Sequence, residues 1–169
     1  MSGIAGAGAD AGLGAGSGAG AAARVSTASP PAQRAFAALG DGAFHSGEAL
    51  AGAAGVTRSA VWKSIESLRE LGVQIEAVTH RGYRLVQPAA ALDAARIVAA
   101  LAPEWRPSLR SLEVEWSLPS TNAALLERPA PPPGECDVLL VEHQSAGRGR
   151  RGRHWLAPLG GSLCVSIAA

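Results

Sequence analysis

A chain of 169 residues has room for one average domain or two small ones, and a net charge of +1 gives no global field to steer it toward nucleic acid or membrane. Any basic site must be local and built on arginine, because Lys63 is the only lysine among fifteen basic residues. Two cysteines, Cys136 and Cys164, make neither a disulfide framework nor a metal site; with no membrane-length apolar run and no secretory signal, the chain reads as a reduced, cytoplasmic protein.

Residues 1–30 are read as a Gly/Ala-rich tail, too poor in large apolar groups to offset the entropy of ordering. It is a linker or tail, or the product of a start codon placed too far upstream. From residue 31 the pattern changes. "PPAQRAFAALGDG" predicts a short helix ending near Gly40, with Ala35, Phe36 and Leu39 on one side. Ser46 and Gly55 bracket a second helix as N-cap and stop, and Thr57 and Gly72 bracket a third. In the third, Val61, Ile65, Leu68 and Leu71 form one apolar stripe. Val73, Ile75 and Ala77 then alternate, turn at His80, Arg81 and Gly82, and resume at Tyr83 and Leu85 as a hairpin. Three short helices and a hairpin over 31–87 make a winged helix-turn-helix.

The face opposite the stripe carries Ser59, Trp62 and Lys63, with Arg58 beside them at the helix start. A recognition helix offers its first residues to the major groove, so the positive group is at the useful end. Glu66 and Glu70, which would repel phosphate, come later. An ordinary solvated face explains this helix equally well; His80 and Arg81 at the wing tip turn the reading toward DNA.

Residues 92–169 read as a second unit. Asp93 caps a helix over "AARIVAALA", and Leu112, Val114 and Trp116 alternate in a strand. "STNAALLERP" is a short helix, "DVLLVEHQ" a strand and "GSLCVSIAA" another, which together indicate an α+β or α/β arrangement. Cys136 and Cys164 fall in these apolar strands as small buried residues.

Between the last two strands runs "EHQSAGRGRRGRHW". Gly147, Gly149 and Gly152 allow the backbone close approach to a ligand, while Arg148, Arg150, Arg151 and Arg153 offer forked donors to phosphate or carboxylate oxygens. A Walker pattern is absent. A nucleotide fits this loop better than single-stranded RNA, which would want more stacking aromatics than Trp155 alone.

"STN", then "EHQSAGRGRRGRHW", then the entry to a final strand resemble the biotin–protein ligases in order and spacing. The preceding "FHSGEALA", "VTRSAVWKSIESLRELG" and "GYRL" are similar to the bifunctional subgroup that also represses biotin-synthesis genes. The resemblance runs from about residue 33 to residue 169. It implies an α+β fold in which a winged helix precedes the first part of a class II synthetase-like mixed-sheet domain. It also implies ATP and biotin as substrates, with Mg2+ accompanying the ATP. Biotinyl-5′-adenylate forms and its biotinyl group passes to a lysine of a biotin carboxyl carrier protein. Operator DNA and a second copy of the chain, as a homodimer, are the other implied partners.

Carried over by motif, Ser120, Thr121, Asn122 and Gln144 line the biotin site, where hydroxyls and amides suit a neutral ureido head. Arg148, Gly149 and Arg150 sit on the adenylate and its charge, supported by Gly147, Arg151, Gly152 and Arg153. Read singly, Ser120 is a helix cap and Gln144 a strand-end polar residue. A ligand-sensing DNA-binding regulator without catalysis remains the alternative. The family also uses a lysine beyond the Arg-Gly loop and a small C-terminal domain, so the 169-residue chain is expected to be a fragment inactive by itself.

Overall fold

A computed structural model describes residues 30–147, 149 and 157–169, together with the backbone of 22–25. The first core forms around α1 (Pro31–Ala38), α2 (Gly47–Ala54) and α3 (Arg58–Glu70). Pro31 starts α1 where a missing N–H costs nothing. Ser46 Oγ accepts the Ala49 N–H at 3.1 Å and Thr57 Oγ1 that of Ala60 at 3.3 Å, so both expected caps are in use. Gly55 (φ 62°) takes the left-handed conformation at the end of α2. Val61, Ile65 and Leu68 are buried together with Phe36, Leu39 and Leu50, while Leu71 is half-buried at the margin.

Strands β1 (Ala22–Val25), β2 (Ile75–Val78) and β3 (Gly82–Leu85) follow different rules. β2 and β3 pair antiparallel as the expected wing, with Ile75 opposite Leu85 and both buried in the helical core. Ala77 stays exposed, because the hairpin has by then left the core. Gly82 has φ 98°, and a Cβ there would stand 2.0 Å from the His45 carbonyl oxygen. That closeness arises because His45 and Tyr83 exchange two backbone hydrogen bonds, at 2.8 and 2.9 Å, which tie the wing to the α1–α2 connection.

The remaining strands form one mixed sheet. β4 (Leu109–Leu118) and β5 (Cys136–Gln144) are parallel, joined through α5 (Thr121–Leu126), and β6 (Cys164–Ala168) lies antiparallel to β5 at the edge. β1 adds to the other edge, parallel to β4, with Val25 opposite Val114. This corrects the reading of residues 1–30 as wholly unstructured: the unpaired amides and carbonyls along the edge of β4 give a short segment a ladder to join. α4 (Ala94–Ala100), capped by Asp93 Oδ1 at 2.9 Å from the Arg96 nitrogen, packs near Leu112, Val114 and Leu140. Cys164 is buried as expected, while Cys136 is half-buried.

Two side chains from the sheet region join the first core. Trp116 leaves the row of Leu112 and Val114 and meets Phe36, ring centroids 6.1 Å apart and planes at 56°. Leu159 is 5% exposed among the winged-helix residues. It sits in a turn closed by the Gly161 N–H to the Pro158 carbonyl at 3.0 Å. Nearby, the buried Glu142 carboxylate accepts the Leu92 N–H at 2.5 Å, fixing the segment that leads into α4.

Candidate functional site

At one end of the sheet, the end of β4 delivers Ser120 to the start of α5 and the end of β5 delivers Gln144 beside it. Ser120 Oγ lies 3.4 Å from the Ala123 nitrogen, a long cap bond that leaves the hydroxyl with further capacity. Gln144 Oε1 accepts from the Thr121 N–H at 2.9 Å and from Thr121 Oγ1 at 3.3 Å. Because a backbone N–H can only donate, these bonds fix the amide with its oxygen toward α5. Thr121, buried, also hydrogen-bonds Ser166 Oγ on β6 at 2.8 Å.

These groups surround a cavity of about 260 Å³ lined by Ser120, Thr121, Asn122 and Gln144 together with Leu163, Cys164, Val165 and Ser166. The fold brings Ser120, Thr121, Asn122 and Gln144 to one cavity, with Asn122 the exposed member of the four. Burial pushes the Cys164 thiol above its ordinary pKa, while a hydrogen bond from Gln144 acts the other way. Among the described residues that line it, a neutral thiol, hydroxyls and amides carry no formal charge and suit a neutral polar ligand held by hydrogen bonds.

The β4–β5 ladder continues past this pocket: the Ser145 N–H bonds to the Leu118 carbonyl at 2.9 Å and the Ala146 N–H to the Pro119 carbonyl at 3.0 Å. The start of the Arg-Gly run is therefore held beside Ser120. Gly147 is buried and Gly149 half-buried there. Arg148, Arg150, Arg151, Gly152 and Arg153 lie outside the described residues.

Arg58, Ser59, Trp62 and Lys63 are all exposed on α3, and His80 and Arg81 on the wing tip. Trp62 keeps 57% of its surface in solvent, unusual for so large an apolar ring. Ser59 Oγ is 3.0 Å from Thr57 Oγ1, so its hydroxyl already has a partner at the helix start. Farther along, Glu66 is paired with Arg69 at 2.8 Å. Between the α3 start and the wing lies an open cavity of about 560 Å³, bordered by Arg58, Thr79 and His80.

Several site residues escaped the sequence. Ser166, Cys164 and Leu163 enter the polar pocket only through the register of β6 against β5, which alternation alone does not specify. Among the described residues, no helix is long and apolar enough to cross a membrane.

Fold and surface together define a class: a winged helix-turn-helix unit followed by an α+β unit with a small polar pocket at its strand ends. The family description "HTH domain" matches residues 39–84. The bifunctional ligase/repressor BirA of Salmonella typhimurium is 41% identical over 132 residues, covering 76% of this chain and 38% of that protein. The protein of the same name from Escherichia coli is 40% identical over 134 residues, covering 78% and 39%. A biotin–[acetyl-CoA-carboxylase] ligase of Mycobacterium tuberculosis is 45% identical over 60 residues, 34% of this chain and 22% of that ligase. The chain belongs with the bifunctional ligase/repressors and corresponds to their N-terminal portion. It spans about two fifths of the length of these two BirA relatives.

Proposed function

We propose that this chain contributes the DNA-reading unit, residues 31–87, and the biotin-recognising part, residues 92–169, of an ATP-dependent biotin–protein ligase and biotin-responsive repressor. The observation that carries the reading is the polar pocket in which Gln144 is bonded to Thr121 beside Ser120 and Asn122. The start of the Arg-Gly run is held at its rim.

In this reading the ureido head of biotin takes the neutral hydrogen-bond partners. Its carboxylate oxygen attacks the α-phosphate of ATP and pyrophosphate leaves. Arg148, Gly149 and Arg150 meet the adenylate, and Gly147, Arg151, Gly152 and Arg153 support them; fixed cationic donors favour the charge gathered at the reacting phosphorus. Mg2+ travels with the triphosphate. The lysine amine of a biotin carboxyl carrier protein then attacks the acyl carbon and AMP departs. Before that transfer the adenylate acts as corepressor, favouring a homodimer on operator DNA read by Arg58, Ser59, Trp62, Lys63, His80 and Arg81.

Biotin-dependent ATP–pyrophosphate exchange tests this, in the 169-residue chain and in one extended to the length of its relatives. The extended chain should exchange. Thr121→Ala and Gln144→Ala should each raise the biotin KM about ten-fold or more while leaving the ATP KM nearly unchanged, the pattern of lost ligand hydrogen bonds. Arg150→Gly should speed loss of adenylate more than it weakens biotin. An extended, folded chain that binds biotin and DNA without exchange would instead be a ligand-sensing regulator.

A further inference from the structure

Phe44, in the connection between α1 and α2, carries two cations on one ring. The guanidinium carbon of Arg81 is 4.1 Å from the ring centroid and that of Arg84 4.8 Å. Their surroundings differ. Arg84 faces Glu76 across the hairpin, Nε to Oε2 at 2.6 Å, so its charge is met within the wing. Among the described residues no carboxylate lies within ion-pair distance of Arg81, which is exposed at the tip beside His80 (φ 64°). The backbone beside the ring is anchored, because the next residue, His45, is the one that exchanges backbone bonds with Tyr83.

A long arginine on a hairpin tip ordinarily loses much side-chain freedom when it binds. An aromatic face held 4.1 Å from its guanidinium restricts that freedom in advance and leaves the N–H edge available. His80 and Gly82, on either side of Arg81, border the open cavity that runs from the wing to Arg58, so the tip stands at the edge of that cavity. One sugar–phosphate strand separates a major groove from the adjacent minor groove. With the start of α3 in the first, a strand running through the cavity brings the wing tip to the second. Glu48 also borders the cavity and repels phosphate, favouring a path along the Arg58 and His80 side.

We propose that Phe44 is a positioning residue for DNA recognition, holding Arg81 extended so that its unpaired guanidinium enters an A·T-rich minor groove next to the major-groove site of α3. Such a groove is narrow and strongly negative, which favours arginine. The proposal rests on the DNA-binding reading of the winged helix and adds a residue, a groove and a base composition to it.

The test uses the full 169-residue chain at low salt. Short duplexes with randomised centres are selected for binding, and the tightest sequence is then compared with the same duplex bearing 2,6-diaminopurine for adenine. That base adds an amino group to the minor groove and leaves the major-groove edge unchanged. Wild-type binding should select A·T pairs beside the helix site and weaken on the diaminopurine duplex, whereas Arg81→Ala should bind both duplexes equally. Phe44→Leu should weaken binding about two- to five-fold at unchanged circular dichroism, Phe44→Trp should retain it, and Phe44→Leu should cost nothing further in the Arg81→Ala background. Overturning results are full-strength binding by Phe44→Leu, or a Phe44→Leu effect that persists undiminished without Arg81. Equal wild-type affinity for the two duplexes overturns the minor-groove assignment and makes Arg81 a phosphate contact. If the wild-type chain binds no duplex at all, the DNA reading fails and the role of Phe44 with it.

Discussion

Glu142 and Asp137 are both buried carboxylates on β5, yet their surroundings push them in opposite directions. Asp137 is held below the usual carboxylate range chiefly by its hydrogen bonds to Arg110, with the Ser111 hydroxyl at 2.6 Å helping against the cost of burial. For Glu142 burial dominates and raises the pKa, the Leu92 N–H opposing it only in part. The signs of linkage follow. Asp137 contributes stability that is present above its unfolded value, about 3.9, and is lost as pH falls through its lower folded value. Glu142 binds its proton more tightly when folded, so its charge costs stability as pH rises from about 4.3 through the raised folded value. Glu142→Gln keeps an acceptor for Leu92 and removes that charge. Its melting temperature should therefore fall less than that of the wild type as pH rises through this window. Parallel melting curves for the two proteins would contradict this. Glu142→Ala should instead cost about 1–3 kcal/mol, because the Leu92 N–H loses its partner. Nothing in "EHQ" signals this role, since the partner is 50 residues away in sequence.

Among the elements, the capped helices, the hairpin and the apolar strands were legible, whereas β1 and the register of β6 against β5 were not. α3 announces both ends, Thr57 before it and Gly72 (φ 87°) after it, and its stripe of Val61, Ile65 and Leu68 names the buried face. For the polar pocket, local signals mark Ser120 only as a helix cap and Gln144 only as a strand end; the resemblance is what joined them, and Ser166 needs the β5–β6 register. β1 was hidden by its composition, since Ala22, Ala23, Arg24 and Val25 show no apolar–polar alternation for the ladder to betray. The caps are testable at this scale. Thr57→Ala should lower stability by about 1 kcal/mol, and Thr57→Ser should restore most of it, measured by urea unfolding. An unchanged midpoint for Thr57→Ala would mean that tertiary packing alone holds the start of α3.

At the scale of the whole molecule, the first core is completed by residues far along the chain. Leu159 is buried against winged-helix side chains, and a Cβ on Gly160 (φ 72°) would come within 3.0 Å of Phe36 and 3.1 Å of Ala89. Leu159→Ala should therefore destabilise the helical core by about 2–5 kcal/mol, although the residue lies 74 positions beyond Leu85, the last residue of β3. Trp116→Ala should loosen the same junction. In calorimetry the wild type should give one transition and the double variant two; a single transition in both would show that other contacts couple the units. No periodicity in the sequence pointed to this contact, because a single leucine in a glycine-rich turn has no pattern to belong to.

The seat of Leu159 also limits how freely this winged helix could be exchanged among proteins. A gene segment ending after the wing would leave behind the leucine that fills its core and would uncover Phe36 on the side where Trp116 rests. Transplanted onto another protein, it would need smaller or more polar replacements at that spot, or would have to bring the Pro158–Gly161 turn with it. A binding unit that reads as detachable in one dimension has thus become, through one side chain, dependent on its original host.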